Sequence, residues 1–249
     1  MRPHYFMSDL HLCDPSDERT QRVLTFWESI RGDAEALYLV GDAFDFWLGY
    51  RSVIVSPLVP VLRQLAELVE SGTRVVLLSG NHDPDPGDFL QTLGIEVSEG
   101  PIEVEIDGHR VWLEHGDLID PRGWSHRTIC RIARNPIARA VARLFPPDWT
   151  WRLSRVYARK PHDYSDPLPA ALLTQWFPSK VEEGLEVVVI GHYHRAVRHE
   201  VEGGRFFALG DWVRQRTYLK YDGEFALLRD QGEDHEPMTL PPGDHGPAL

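Results

Sequence analysis

Five short motifs built from aspartate, asparagine, histidine and glycine each come directly after an apolar run of the chain. In chain order they are Asp9-Leu10-His11, Gly41-Asp42-Ala43-Phe44-Asp45, Gly80-Asn81-His82-Asp83, His115-Gly116-Asp117 and Gly191-His192-Tyr193-His194. Short apolar runs predict buried strands, and ligands bind at the carboxyl ends of strands in open α/β sheets. We therefore expect the five motifs to meet at one place in the fold.

The donor types in these motifs predict a centre that holds two metal ions. The candidate ligands are Asp9, His11, Asp42, Asn81, His115, His192 and His194. This set is too large for one ion but suits two ions that share a carboxylate, and Asp42 is the candidate bridge. Two such ions, about 3.5–4 Å apart, can turn a bridging water into hydroxide and stabilise both the attacking and the leaving oxygen of a phosphoryl group. We expect Mn²⁺, with Fe²⁺ or Zn²⁺ as alternatives, because the ligands are imidazole, carboxylate and amide groups.

Each motif taken alone also has a purely structural interpretation. A pair such as Asp9 and His11 is commonly a cap or a surface pair, and Gly-Asp-x-x-Asp is commonly a turn after a strand. A lone buried histidine is more often a hydrogen-bonded core residue than a ligand. The occurrence of all five motifs, each at the end of an apolar run, favours the metal centre.

The segments between the motifs predict a fold of the α/β (α+β) class. Arg19 to Ile30 and Ser56 to Ser71 have apolar residues at helical spacing and separate the strands of the first half. In the second half, Asp107-Gly108, Gly203-Gly204 and Asp222-Gly223 lie between apolar runs and predict β-hairpins. We expect two sheets packed together with helices outside.

The composition limits the class of protein. The chain has 249 residues, of which 42% are hydrophobic, and its net charge of −12 argues against nucleic acid as a partner. The two cysteines, Cys13 and Cys130, fit a reducing compartment. The longest aliphatic run, Val187 to Ile190, is far shorter than the ~20 residues that span a bilayer, and no secretory signal is evident. We expect a cytoplasmic protein with one domain over residues 1–230 and a flexible tail over residues 231–249.

A basic segment interrupts this domain. From Arg122 to Lys160 the chain has ten basic residues and a single acid, Asp148, so the segment carries a charge of +9. Pro146-Pro147 separates two apolar stripes at helical spacing, and Asp148 can cap the second helix. The stripes are Ile137, Val141, Leu144 and Phe145, followed by Trp149, Leu153, Val156 and Tyr157. We expect a two-helix lid within an insert over about residues 122–178.

Several roles for this lid remain open at the level of sequence. Its apolar face could hold acyl chains while arginines contact phosphate groups, and the candidates for that contact are Arg122, Arg152, Arg155 and Arg159. The lid could also rest on an anionic membrane surface, which would make the protein peripheral at the inner membrane. Alternatively, the apolar stripes pack on the core and the arginines are solvated. The acidity of the whole chain opposes a nucleic-acid patch.

The order of the five motifs resembles that of the calcineurin-like metallophosphoesterase family, over about residues 1–230. The resemblance implies a four-layer αββα sandwich. It assigns Asp9, His11, Asp42 and His194 to one metal ion, and Asp42, Asn81, His115 and His192 to the other. It also implies that His82 is a catalytic histidine which, together with Asn81, acts on the leaving group or the transition state, and that Asp83 orients His82.

A narrower resemblance links the chain to the UDP-2,3-diacylglucosamine hydrolases. It rests on the run from Leu37 to Trp47, on the insert after His115-Gly116-Asp117, and on Ala208-Leu209-Gly210-Asp211-Trp212. Such enzymes cleave an acylated nucleotide sugar to UMP and 2,3-diacylglucosamine 1-phosphate in lipid A biosynthesis. Asp211-Trp212 is either a substrate-side element or a plain turn.

One residue departs from that pattern. The common form of these hydrolases has arginine at the position of His82, which leaves open a metallophosphoesterase that acts on another phosphodiester or phosphomonoester, in a nucleotide, a phosphoprotein or a nucleic acid. A third alternative is a binding scaffold without catalysis, against which the complete ligand set argues.

Overall fold

Two β-sheets packed face to face form the centre of the protein in a computed structural model, which describes residues 1–50, 52–119, 124–158, 168–231 and 235–237. The strands are β1 (His4–Met7), β2 (Ala36–Val40), β3 (Arg74–Leu78), β4 (Glu96–Ser98), β5 (Ile102–Ile106), β6 (His109–Glu114), β7 (Val187–Ile190), β8 (Ala196–Val201), β9 (Gly204–Leu209), β10 (Thr217–Tyr221), β11 (Phe225–Asp230) and β12 (His235–Pro237). The helices are α1 (Glu18–Ile30), α2 (Val59–Glu70), α3 (Phe89–Thr92), α4 (Trp124–Arg134), α5 (Pro136–Ala142), α6 (Pro147–Ala158) and α7 (Phe177–Glu182). A 3₁₀ turn at Ser56–Leu58 precedes α2, and a π-helical turn at Leu172–Trp176 precedes α7.

The topology brings the ends of the motif-bearing strands together. The first sheet has the order β12-β11-β10-β1-β2-β3-β4, and its strands β1, β2 and β3 are parallel neighbours. The second sheet has the order β5-β6-β7-β9-β8, in which β6 and β7 are parallel neighbours. Because parallel neighbours end at the same edge, the first three motifs share one sheet edge and the last two share another.

The alternation of side chains along each strand divides the core into layers. Phe6 and Tyr38 of the first sheet belong to one buried cluster with Val189 and Phe207 of the second sheet, so this cluster fills the space between the sheets. Successive residues of a strand point to opposite faces, and the other face of the first sheet packs against Trp27 of α1 and other helical residues.

The second sheet is covered in the same way. Leu172 and Phe177 pack against Val188 and Phe206 on its outer face, so the residues from 172 to 177 form part of the outer helical layer even though they fall within the expected insert. The order of layers is helix, sheet, sheet, helix, which confirms the αββα sandwich.

Two short strands were not expected from the sequence. Three-residue β4 lies at the edge of the first sheet and has no buried residue, so its sequence lacks an apolar pattern. Within the expected tail, His235–Pro237 form β12 and pair with β11.

The insert contains α5 and α6 at the two expected helical stripes and, before them, α4, which was not expected. The break at Pro146-Pro147 separates α5, which ends at Ala142, from α6, which begins at Pro147. Asp148 therefore lies inside the first turn of α6 instead of preceding it. Leu144 and Phe145 were expected on the helical stripe of α5, but they lie after its end, between α5 and α6.

Five apolar side chains of the expected helical stripes do not pack on the core. The exposed fractions of the side chains are 74% at Ile137, 83% at Leu144 and 68% at Trp149. Val141 and Phe145 are also exposed. The alternative in which these apolar residues are buried against the core is thus wrong for all five. The side chains of Leu153, Val156 and Tyr157 lie outside the described part of the chain.

Three arginines of the insert contact the core instead of solvent. Arg134 pairs with Asp117 through two nitrogens, at 2.7 and 3.1 Å. Buried Arg139 donates to a carboxylate oxygen of Glu99 at 2.9 Å and to the carbonyl oxygen of Pro84.

The third arginine, Arg143, donates to both carboxylate oxygens of Asp85, at 2.8 and 2.6 Å. Asp85 is buried, and its carbonyl oxygen accepts a hydrogen bond from the N–H of Gly49 at 2.8 Å. These partners are 17 to 58 residues away from the arginines in sequence. Three of the ten basic residues between Arg122 and Lys160 therefore attach the insert to the rest of the protein.

We expect Asp85→Ala to lower the free energy of unfolding by about 3 kcal/mol, because it leaves Arg143 without its buried counter-charge. Urea unfolding followed by circular dichroism measures this loss. The matched control is Glu200→Ala, which removes the partner of Arg198 in a half-exposed pair and should cost less than about 1 kcal/mol. Equal losses in the two variants would contradict the anchoring role of Asp85.

Candidate metal centre

The backbone is unusual at the predicted ligands. Five of the seven adopt the left-handed conformation that side chains normally avoid: Asp9 (φ 54°), His11 (φ 48°), Asp42 (φ 51°), His192 (φ 71°) and His194 (φ 51°). Such conformations cost of order 1–3 kcal/mol each and persist where the surrounding structure enforces them, often at functional sites. Their concentration here marks the strand ends as a site under local strain.

Two glycines allow the loops to interlock. A Cβ atom at Gly80 would lie 2.1 Å from Oδ1 of Asp42, and one at Gly191 would lie 1.9 Å from the hydroxyl oxygen of Ser8. Any larger residue at either position would displace the neighbouring motif. The glycine that precedes a ligand is thus required by the close approach of another motif.

Asp9, His11 and His194 form a first donor group. One potential ligand atom from each of the three lies within 4.8 Å of the others, and Nε2 of His194 is 3.4 Å from Oδ1 of Asp9. Within the described part of the chain, the buried atoms Oδ1 of Asp9 and Nε2 of His11 make no hydrogen bond. A buried polar atom without a partner is costly, and a cation between these atoms would remove that cost.

Asn81, His115 and His192 form a second donor group. Oδ1 of Asn81 lies 3.2 Å from Nε2 of His115 and 3.0 Å from Nδ1 of His192. The other ring nitrogen of His115, Nδ1, is 3.0 Å from the carbonyl oxygen of Val40. Because a carbonyl oxygen only accepts, that nitrogen carries the hydrogen and Nε2 is left to act as a ligand.

Asp42 joins the two groups. Its Oδ2 lies 3.4 Å from Nε2 of His115 in the second group and 4.0 Å from Nε2 of His11 in the first. Its Oδ1 accepts a hydrogen bond from the N–H of His82 at 2.8 Å, which fixes the plane of the carboxylate. Asp42 therefore lies between the two donor groups, and Asp9, Asp42 and His115 each offer a ligand atom within 4.8 Å of the others.

The electrostatics of the donors also favour a cation. Burial disfavours the charged form of His115, but the adjacent carboxylate of Asp42 outweighs it and raises the pKa of His115 to about 10. Burial likewise opposes ionisation of Asp42, yet His115 and His82 hold the pKa of this carboxyl well below its usual range. The centre therefore attracts positive charge even when the only source is a proton. The residues present fit two divalent cations.

The ring of His82 is oriented by the second motif. Its Nδ1 lies 2.9 Å from the carbonyl oxygen of Asp45, so Nδ1 carries a hydrogen and Nε2 is the remaining ring nitrogen. The ring packs edge-on against the ring of His11, with centroids 4.6 Å apart. His82 thus borders the first donor group.

Asp83 has a different role from the one expected. Its carboxylate accepts hydrogen bonds from the backbone N–H groups of Gly80 (2.6 Å), Asp42 (3.2 Å), Ala43 (2.8 Å) and Phe44 (3.3 Å). These bonds hold the loop that carries Asp42. Orientation of His82, expected of Asp83, is provided by Asp45.

Sequence reasoning did not assign two carboxylates that contact ligands. Oδ1 of Asp45 is 3.7 Å from Nδ1 of His11, and Oδ2 of Asp211 is 3.3 Å from Nδ1 of His194. The position of Asp45 in the Gly-Asp-x-x-Asp motif was an available signal. Asp211 also follows a strand and a glycine, as three of the five motifs do.

Of the four arginines expected to contact phosphate, the structure describes the side chain of one. Arg152 is exposed on α6. Arg122 and Arg159 lie outside the described residues, as does the side chain of Arg155.

Comparison with known proteins agrees with this geometry. The family model for calcineurin-like phosphoesterases matches residues 3–196 of the chain. The chain belongs to the calcineurin-like phosphoesterase family. Members of this family bind two divalent metal ions, and the chain is accordingly a metal-dependent hydrolase.

Curated relatives align with nearly the whole chain. A UDP-2,3-diacylglucosamine hydrolase of Porphyromonas gingivalis is 32% identical over 262 aligned residues, which cover 93% of this chain and 98% of the relative. Proteins with the same name from Azotobacter vinelandii and Neisseria meningitidis are 33% and 30% identical, covering 87% and 92% of this chain and 93% and 98% of the relatives.

We expect Mn²⁺ to stabilise the metal-stripped protein. At a free concentration about 100 times the dissociation constant, binding to one site adds about 2.7 kcal/mol, or about 5–10 °C in the unfolding temperature of a domain of this size. Differential scanning calorimetry measures the shift.

Asp42→Ala should abolish most of this shift, because it removes the donor shared by both groups. Asp107→Ala is the matched control: Asp107 is also an aspartate with a left-handed backbone (φ 50°), but it lies in the turn between β5 and β6. The same shift in Asp42→Ala as in the wild type would contradict the proposed bridge.

Proposed function

We propose that this protein hydrolyses the diphosphate of UDP-2,3-diacylglucosamine to UMP and 2,3-diacylglucosamine 1-phosphate, a step in lipid A biosynthesis. The observation that carries the proposal is the buried carboxylate of Asp42 between two donor groups, which is the arrangement that phosphoryl transfer by two metal ions requires. The nearly full-length similarity to proteins named UDP-2,3-diacylglucosamine hydrolase supports the choice of substrate.

The proposed ligands divide into two sets that share Asp42. Asp9, His11, Asp42 and His194 would hold one cation, and Asp42, Asn81, His115 and His192 the other, with Mn²⁺ as the proposed metal. When bound, such cations supply an activated water and neutralise the charge of the phosphoryl oxygens. The first donor group borders His82, and the ring of His82 is oriented by the contact that its Nδ1 makes.

The proposed reaction breaks one bridging P–O bond. Water oxygen adds to the phosphorus next to uridine, and the bridging oxygen departs with the sugar phosphate. His82 would deliver a proton from Nε2 to that oxygen or stabilise its charge, and the amide of Asn81 would assist. The proton that the attacking water loses would restore the imidazole for the next turnover.

The insert supports an acylated substrate. Its exposed apolar side chains, among them Ile137, Leu144 and Trp149, form a surface that a purely hydrophilic substrate would not need. We propose that this surface meets acyl chains and that Arg122, Arg152, Arg155 and Arg159 contact phosphate groups. We also propose a peripheral contact with an anionic membrane surface. In the described part of the chain, none of the helices has the length and apolar character needed to cross a bilayer.

A second candidate follows from His82 itself. Because the common form of these hydrolases has arginine at this position, a related phosphoester is the alternative substrate, and the experiment must offer both.

We expect metal-stripped protein reconstituted with Mn²⁺ to release UMP from UDP-2,3-diacylglucosamine. Unacylated UDP-sugars, cyclic nucleotides and an aryl phosphodiester should be offered beside it, with products identified by mass spectrometry. Cleavage of the aryl diester without cleavage of the lipid would retain the metal centre and reject the proposed substrate. Metal binding without any hydrolysis would favour a scaffold.

His82→Ala should lower kcat about 10²–10⁴-fold, the usual contribution of a general acid, while the protein keeps its stabilisation by Mn²⁺. Steady-state kinetics and calorimetry on the same preparation measure the two effects separately. His109→Ala is the control, since His109 pairs with Glu186 at the amino end of β6, opposite to the carboxyl end that carries His115. Unchanged kcat in His82→Ala would remove His82 from the mechanism.

A further inference from the structure

The turn at residues 210–215, which follows β9, contacts both chain segments of the first donor group. Asp211 and Trp212 in this turn are buried, and Trp212 packs against Phe26 of α1 with ring centroids 5.3 Å apart. We propose that Asp211 and Gln215 are positioning residues that prepare His194 to bind a metal ion, an inference that rests on the proposed dimetal hydrolase function.

Asp211 selects the ring nitrogen with which His194 can bind metal. Its Oδ2 is 3.3 Å from Nδ1 of His194, while Nε2 on the other side of the ring is 3.4 Å from Oδ1 of Asp9. An ionised carboxylate only accepts hydrogen bonds, so Nδ1 carries the hydrogen and Nε2 presents its lone pair toward Asp9. Carboxylate partners of this kind orient histidine ligands and increase their basicity.

The carboxylate of Asp211 is itself fixed by the turn. Its Oδ1 accepts hydrogen bonds from the backbone N–H groups of Arg214 and Gln215, at 2.7 and 2.9 Å. Two short bonds to one oxygen leave the other oxygen directed at His194. The side chain is buried, so water does not compete with this contact.

Gln215 holds the backbone at the ligand and two residues after it. Its Nε2 donates to the carbonyl oxygen of His194 at 2.8 Å, and its Oε1 accepts from the N–H of Ala196 at 2.9 Å. His194 is one of the residues with a left-handed backbone, which such flanking bonds help to maintain. The N–H of Trp212 also donates to the carbonyl oxygen of Asp9 at 3.3 Å.

The two donor groups are therefore supported differently. His115 of the second group is oriented by the neutral carbonyl oxygen of Val40, whereas His194 of the first group is oriented by a carboxylate. Loss of the carboxylate should weaken only one of the two cation sites.

The test is Asp211→Asn, which keeps the size of the side chain and its ability to accept from Arg214 and Gln215. Mn²⁺ titration of the metal-stripped protein, with free Mn²⁺ followed by electron paramagnetic resonance, counts the bound ions and their affinities. We expect one ion to bind as in the wild type and the other about 10–100-fold more weakly. Asp222→Asn, in an exposed hairpin turn, is the control and should bind both ions normally.

Urea unfolding of the metal-free variants separates positioning from a structural role. We expect Asp211→Asn to unfold at nearly the wild-type midpoint. Unchanged affinity for both ions would overturn the proposal, and so would an equal loss at both sites with a lowered midpoint.

Gln215→Ala provides a second variant that retains the carboxylate, and we expect it to weaken the same site to a smaller degree. Loss at the other site, or at neither, would overturn the role of Gln215. These readouts need no substrate, so a failure of the lipid substrate in the hydrolysis assay would leave them intact. Conversely, unchanged metal binding in the variants would leave the proposed substrate standing.

Discussion

Burial of the Asp42 carboxylate is the constraint on which the rest of the site depends. An ionised carboxylate removed from water is very costly unless other groups compensate for the lost hydration. Here the compensation comes from four directions: a backbone N–H at Oδ1, histidine rings at Oδ2, the absence of a side chain at Gly80, and Asp83, which fixes the loop from below. Three of these groups belong to the turn at residues 80–83, whereas the histidine rings come from the turn after β1 and from the end of β6 in the second sheet. The site can form only when both sheets are assembled.

The same constraint explains where the fold is strained. Left-handed residues at the strand ends are unfavourable individually, and an isolated loop would relax to a more common conformation. They are maintained because the strands that precede them are fixed in two layers of core, one between the sheets and one beneath α1 and α2. The large apolar core thus stabilises a small polar centre that is locally unstable. This division is typical of enzymes, in which preorganised groups are held by the scaffold.

The sequence was informative where a residue's role depends on its neighbours in the chain. Apolar runs followed by glycine and a ligand predicted the strands of the site, and Asp-Gly or Gly-Gly pairs predicted the hairpins. It was less informative where the role depends on distant partners. Asp83 is next to His82 in sequence, yet its hydrogen bonds reach residues 42 to 44, some 40 positions earlier. An arginine of the insert looks the same in sequence whether it meets a phosphate or, like Arg143, a carboxylate 58 residues away. The formation of the short edge strands of the first sheet, β4 and β12, also depends on the neighbouring strand with which each one pairs.

The attachment of the insert has a consequence for how such enzymes could diversify. Arg143 contacts Asp85, which lies three residues after His82, so the insert is fastened to the loop that carries His82. An insert attached in this way is not an independent module. A chimera that exchanged residues 124–158 for those of another phosphoesterase would change the partners of Asp85, Glu99 and Asp117, three carboxylates that lie outside the insert. New substrate range would therefore have to arise by changing the outward surface of the insert while its inward arginines stay in place.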